Sequence, residues 1–413
     1  MKPLSKICTK PLNSIRSTAT SITRLVLTNF RSYTALSLKV DATIIVLTGQ
    51  NGAGKTNLLE AISFLVPGRG IRRARLADVG HRKPGEEFSN QIHPWAIAAT
   101  IENSHGSVEI GTGLQPVIKE GITSNSTNRT VKIDGVPAKG QIELGERLSA
   151  LWLTPDMERL FLEGASGRRR FLDRLVFGYD PAHANRLRTY EKAMRERSIL
   201  LAQGSQFGST DTSWVSVLEK TMVEKGVAIV AARRTLLERL NSTISMGTGL
   251  FPSAYLQVIC ELDGWLGAMS AIEVEEKFSH RLLQNRRQDP NARSPRVGPH
   301  RSDLLVSHLD KNLPADQCST GEQKSLLISI VLANTRLQGL ERGIRPILLL
   351  DEITAHLDME RREALFAEIK ELGVQTWMTG SDTNLFAPWG DVVQHFAISI
   401  KKVSESKLTP LIT

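Results

Sequence analysis

Short runs of alternating or β-rich character open the chain, at Ile22–Thr28 and Leu36–Val40 around the polar stretch Asn29–Tyr33, and predict a first hairpin. Thr43-Ile-Ile-Val-Leu-Thr48 predicts an apolar strand. That strand runs into Gly49-Gln-Asn-Gly-Ala-Gly-Lys-Thr56 and then into the helical pattern Asn57–Leu65. Further β-like pieces at Ala96–Ile101, Val108–Gly111 and Thr130–Ile133, the last closed by Asp134-Gly135, predict an antiparallel patch beside the main sheet. From Asp156 to Asn285 the spacing of apolar residues becomes mainly helical, with one strand interruption at Tyr255–Leu262. Within it, Ala182–Ala202 and the amphipathic run Thr212–Ser245 flank Gly204–Thr210, which suits the tip of a helical hairpin. In the second helix Leu218, Met222, Ile229, Ala232, Leu236 and Leu240 share one face, a stripe for packing within the chain. Strand-like Asp303–Leu309 returns the chain to an α/β pattern.

Length and charge narrow this picture. A chain of 413 residues has room for roughly two or three domains with a sizeable core. The formal net charge of +9 favours an anionic partner, nucleic acid or membrane surface, without choosing between them. Cys8, Cys260 and Cys318 are far apart and form no CxxC pair, which fits a reducing cytosol rather than a disulfide or zinc framework. The longest apolar stretch, Leu326–Ala333, contains Ser329 and is far short of the ~20 residues a membrane span requires, so no membrane association is expected and the location read is cytoplasmic.

Three segments carry chemistry. In Gly49–Thr56 the glycines allow a tight turn whose amides face an anion; Gln50, Asn51, Gly52, Ala53 and Gly54 form that cradle, and Asn57 follows it. Lys55 supplies a cation for the β/γ-phosphates of ATP, and the Thr56 hydroxyl a ligand for Mg2+. The buried strand Pro346–Leu350 ends in Asp351, a second Mg2+ ligand, and Glu352, placed to orient or deprotonate the attacking water. Two acids at a strand end also suit helix capping; beside a phosphate loop, catalysis is the better account. Between these segments lies Cys318-Ser-Thr-Gly-Glu-Gln-Lys-Ser325. Ser319 with Glu322 reads as a capping box, and the same Ser319 and Gly321 at a helix N-terminus form an anion site.

The last segment, including Gln323, resembles the ABC signature, which in that superfamily contacts the γ-phosphate bound by the opposite subunit; Ala355-His-Leu-Asp358 resembles the D-loop, with Asp358 its acid. Lys55 and Ser319 are 264 residues apart, too far for a transporter ATPase and too near for a full SMC arm. The chain resembles the RecF family, bacterial recombination mediators that act at DNA gaps. The residues carrying the likeness are Leu27-Thr-Asn-Phe-Arg-Ser-Tyr33, Gly49–Thr56, Leu153-Thr-Pro-Asp156, Ser166-Gly-Arg-Arg-Arg-Phe-Leu-Asp173, Val297-Gly-Pro-His-Arg-Ser-Asp303, Ser319–Lys324 and Leu350–Asp358, and it covers about residues 21–400.

The resemblance implies an α/β fold: an ABC/SMC-type P-loop ATPase head with an antiparallel β patch and a short helical arm. The expected division is a basic tail at 1–20, head at 21–155, arm at 156–299 and head again at 300–413. The tail's composition also resembles an organellar transit peptide, but a bacterial family favours a disordered start or an upstream-chosen start codon. By the same resemblance Arg31 reaches nucleotide phosphate, ATP drives homodimerisation, and the chain binds duplex DNA at gaps. RecR is an implied partner and RecO a further candidate, together helping RecA to load. Val374–Met378 leads into Thr379-Gly-Ser-Asp382 without the switch histidine of transporter ATPases, so slow hydrolysis, stimulated by DNA, is expected. The Q-loop glutamine is unplaced, with Gln141 in the broad region.

Arg168–Arg197 holds nine basic residues against four acids and little aromatic interleaving, which suits contact with backbone phosphates rather than stacking on bases; Arg186, Arg188, Lys192 and Arg195 are the candidate DNA contacts. A solvated basic face is the alternative, with Arg72, Arg73 and Arg75 the next candidates. The competing function classes are a transport-coupled ATPase and a nuclease-associated repair ATPase. The long helical region argues against the first, and the lack of an extra metal-ligand cluster against the second.

Overall fold

In the computed structural model the residues described are 20–82, 93–104, 106–114, 117–119, 122–124, 129–207, 211–247, 249–289, 294–354, 357–399 and 402–406. The tail at 1–19, part of the expected hairpin tip (208–210) and Ala355-His356 lie outside them.

In chain order the elements are β1 (Ser21–Phe30), β2 (Tyr33–Lys39), β3 (Ile44–Thr48), α1 (Lys55–Ser63), β4 (Trp95–Asn103), β5 (Gly106–Leu114), β6 (Val117–Lys119), β7 (Ile122–Ser124), β8 (Thr130–Ile133), β9 (Val136–Pro137) and α2 (Gln141–Arg147). Next come β10 (Ala150–Leu153), α3 (Ala165–Tyr179), α4 (His183–Phe207), α5 (Thr212–Ser245), β11 (Ala254–Ile259), α6 (Glu261–Leu266) and α7 (Ala271–Asn285). The chain continues through β12 (Asp303–His308), β13 (Leu313–Pro314), α8 (Thr320–Arg342), β14 (Ile347–Leu350), α9 (Met359–Leu372), β15 (Thr376–Gly380), β16 (Val393–Ser399) and β17 (Lys402–Ser406).

One sheet, ordered β10-β14-β15-β3-β16-β17, is parallel across its first five strands. The other, β2-β1-β4-β5-β8-β9, is antiparallel and forms the expected patch. Alternation along β3 explains how two cores share one sheet. Ile45 and Leu47 pack with α1 and the antiparallel sheet, while Ile44 and Val46 pack on the opposite face with α3, α8 and α9. The aliphatic run of β14 divides likewise, Leu349 to one core and Leu348 and Leu350 to the other.

The helical segment is not packed as a closed unit. Leu218, Met222 and Ile229 of α5 form a third core with α4, α6 and α7, but Leu236 and Leu240 join the sheet core with α3. β11 pairs along its whole length with β12, across the boundary drawn at 299. The first glycine of the expected hairpin tip does not end the helix: α4 runs through Gly204 to Phe207. Among the described residues no helix is long and apolar enough to cross a membrane.

Candidate functional site

Sheet order places the phosphate loop and the acid pair at the same edge. β3 and β14 are separated by β15 alone, and all three are parallel, so their C-terminal ends open on one crevice. The Thr56 hydroxyl donates to Asp351 at 3.0 Å from each carboxylate oxygen, across 295 positions of sequence. Lys55 is the first residue of α1 and is buried; its ammonium donates to the carbonyls of Gly49, at 2.7 Å, and Gln50, at 3.2 Å, closing the loop on itself.

Two glycines are required by close approach as well as by φ. A Cβ on Gly49 (φ +151) would stand 2.1 Å from the Ile398 carbonyl of β16, and one on Gly54 (φ +113) 2.7 Å from the Tyr33 hydroxyl. Tyr33 donates to the Gly54 carbonyl at 3.1 Å, which seats the β1–β2 turn on the loop. Burial pushes the Tyr33 pKa above its ordinary range, so the phenol keeps its proton.

That turn brings Arg31 beside α1. Its guanidinium grips Glu60 with two bonds, of 2.9 and 2.7 Å, and donates to the Asp78 carbonyl at 3.0 Å. Glu60 is fully buried and also receives Arg72, which donates as well to the Asn57 side chain at 2.6 Å. Gln50, Asn51 and Gly52 are exposed at the loop tip and Ala53 is buried.

Asp351 and Glu352 are held by a residue the sequence motifs did not single out. Thr379, at the end of β15, donates to Asp351 Oδ1 at 2.7 Å and accepts the Glu352 amide at 2.8 Å. Its one sequence signal is position, directly after the strand read at Val374–Met378. A second omission is Glu158, in the turn Pro155–Arg159 after β10, a strand whose register sets Leu153 opposite Leu350. Glu158 of that turn pairs with buried Lys324 at 3.0 Å, lining with Asp351 and Thr154 a small cavity. Gln141 opens α2 behind Gly140, and it is Thr154, Met157 and Glu158 that share a cavity with Asp351.

Ser319 is the N-cap of α8 with a full capping box: its backbone N–H donates to Glu322 at 2.8 Å. Glu322 also binds the Lys311 ammonium, and Lys311 and Ser319 together hold its pKa down at about 2. Gly321 is close to α9: the Arg361 guanidinium comes to 3.9 Å of the position a Cβ would take there. Asp358 caps α9, accepting the Arg361 amide at 2.8 Å. Gln323 is buried and donates to the Cys318 carbonyl at 2.8 Å, turned into its own helix start. Within one chain, then, Gly321 of the signature lies near Arg361 of α9, while Lys324 of the same segment lines the small cavity that Asp351 also lines.

The basic run divides sharply. Arg197 is fully buried against Glu219 and Asp289, and Arg168 binds Asp303 with two bonds. Arg169 donates to the Ser302 carbonyl, and half-buried Arg174 lies 4.5 Å over Trp152, its pKa pushed down to about 9 by lost hydration and by Arg73. Arg186 pairs with Asp180. Arg188, Lys192 and Arg195 are exposed on α4, Lys192 facing Glu196 at 3.8 Å. Charge counted along the sequence therefore overstated the free charge of this segment. Arg73 is exposed, as are Arg69 and Arg170.

The sequence profile described as the RecF/RecN/SMC N-terminal domain matches residues 21–400. Among curated relatives, a DNA replication and repair protein RecF of Mesorhizobium japonicum is 47% identical over 370 residues, 89% of this chain and 93% of its own. One from Rhizobium meliloti is 44% identical over 385 residues, 93% and 98% of the two chains. A solved recombination mediator protein RecF-ATPrS of the RecFOR pathway superposes with a TM-score of 0.77 at 22% identity, covering 94% of this chain and 98% of that one. An Smc head domain from Pyrococcus furiosus gives 0.52 at 16% identity, covering 94% and 97%.

Proposed function

The chain belongs to the RecF family of DNA replication and repair proteins, and from that membership we propose that it is an ATP-driven mediator of recombinational repair that loads on gapped DNA. The observation that carries the nucleotide part is the meeting of Thr56 and Asp351 at the end of two parallel strands, beside a glycine cradle with a buried lysine. A hydroxyl and a carboxylate are hard oxygen donors and fit Mg2+. When bound with nucleotide, Mg2+ neutralises charge on the β- and γ-phosphates.

In this reading Gly49–Thr56 and Asn57 cradle the phosphates, Lys55 pairs with them, and Arg31 adds its remaining N–H groups from the β1–β2 turn. Glu352 takes a proton from the attacking water. Ser319, Gly321, Glu322 and Gln323 belong to the cap that meets the nucleotide of a second copy, with Asp358 at the same interface. ATP thus joins two copies and slow hydrolysis, without a switch histidine, separates them. Duplex phosphates contact Arg188, Lys192 and Arg195, with Arg186 at the margin, and RecR and RecO cooperate at the gap so that RecA loads.

The test is nucleotide binding and turnover. Lys55→Ala abolishes ATP binding, whereas Glu352→Gln binds ATP, traps the dimer and stops hydrolysis. Normal ATP affinity in the first, or parent turnover in the second, defeats the assignment.

A further inference from the structure

We propose that Thr379 is a positioning residue for hydrolysis, whose hydroxyl locks Asp351 and Glu352 into one fixed arrangement; this rests on the nucleotide-site reading above. β15 lies between β14 and β3, so its C-terminal end falls between the acid pair and the phosphate loop. The register sets Met378 opposite Leu350, and Thr379 opposite Leu47.

The hydroxyl is fully buried and both of its capacities are engaged: it donates to Asp351 Oδ1 at 2.7 Å and accepts from the Glu352 N–H at 2.8 Å. Asp351 Oδ1 also receives the Thr56 hydroxyl at 3.0 Å. One hydrogen-bonded chain therefore runs from the Glu352 backbone through Thr379 and Asp351 to the first turn of α1.

Backbone strain says why this bond matters. Glu352 has φ +49, a left-handed conformation that costs a non-glycine residue energy and is kept only where surroundings impose it. The bond from its amide to Thr379 fixes the strained residue at the point where the side chain must face the attacking water. Gly380 follows Thr379 and contributes no side chain, so the hydroxyl is what this strand end offers to the acids.

Valine has the shape of threonine without the hydroxyl, and serine keeps the hydroxyl without the methyl. In the full chain, Thr379→Val is expected to lower kcat about ten-fold, the effect of one unmade bond to a buried donor. ATP affinity, read with a fluorescent nucleotide, and ATP-driven dimerisation should stay within about two-fold, and Thr379→Ser should restore most of kcat. Parent-like kcat in the valine variant, an equal fall in kcat and ATP affinity, or no rescue by serine overturns the proposal. Hydrogen exchange of the parent protein gives a reading independent of any variant's folding: the Glu352 amide must be protected, and fast exchange overturns the lock. Glu352→Gln in the same assay separates the two levels of argument. If it is inactive while Thr379→Val is normal, Thr379 alone is misassigned; if it hydrolyses at the parent rate, the nucleotide-site reading fails first.

Discussion

Arg197→Met separates charge that holds the arm from charge that binds DNA. The Arg197 guanidinium is fully buried and donates to Glu219 at 2.8 Å, Asp289 at 2.7 Å and the Leu282 carbonyl at 2.9 Å, tying α4 to α5 and α7. Methionine fills similar volume but removes all three bonds. Glu219 keeps Arg286, which reaches both its oxygens. Asp289 does not fare as well: it is buried, and among the described residues its Oδ1 already accepts no hydrogen bond. A single stranded buried carboxylate costs about 3–5 kcal/mol. Adding Asp289→Asn removes that charge and should recover more than half of the loss. Urea unfolding followed by Trp265, which packs in the arm core, measures both variants. Since Arg197 has no solvent exposure, the salt dependence of duplex binding should match the parent. Parent-like stability in the single variant, or a double variant no better than the single, refutes the reasoning. A shallower salt slope would show that Arg197 reaches DNA after all.

Ser319→Arg should leave ATP binding to the monomer nearly intact while abolishing ATP-dependent association by light scattering; an unchanged dimer would make Ser319 a helix cap alone. Replacing Arg186, Arg188, Lys192 and Arg195 by Ala should flatten the slope of log K against log salt by up to about 0.9 for each phosphate that is no longer neutralised, with ATP binding preserved. Arg186 is expected to contribute least because Asp180 already holds it, and an unchanged slope would move the DNA surface to the head, with Arg72, Arg73 and Arg75 the next candidates. His300 accepts from the Tyr190 hydroxyl and donates to the Pro295 carbonyl, both at 2.7 Å, and burial with nearby Arg301, Arg169 and Arg233 pushes its pKa down to about 4. The unfolded chain therefore binds more protons in this range, and stability should fall as pH drops from about 6.5 toward 4, by about 1 kcal/mol per unit, a loss His300→Gln should lessen in acid unfolding curves.

Elements whose signals are local were legible from the residues alone. A glycine cradle between an aliphatic strand and a helix is read from adjacent residues, because phosphate binding at a helix start needs nothing distant. The acid pair after Ile347–Leu350, the capping box of Ser319 and Glu322, and the antiparallel patch were legible for the same reason, as were the family motifs. Which charges are spent is settled only by the folded chain. Arg168, Arg174 and Arg197 look like surface base in a linear count, yet their partners Asp303, Trp152, Glu219 and Asp289 come from other elements. The roles of Thr379 and Glu158 were invisible likewise, since a threonine becomes a bridge only when β15 is inserted between β14 and β3, and a glutamate becomes a tether only when α8 brings Lys324 to it. Strand order and burial depend on neighbours hundreds of residues apart in sequence, and no local pattern encodes them.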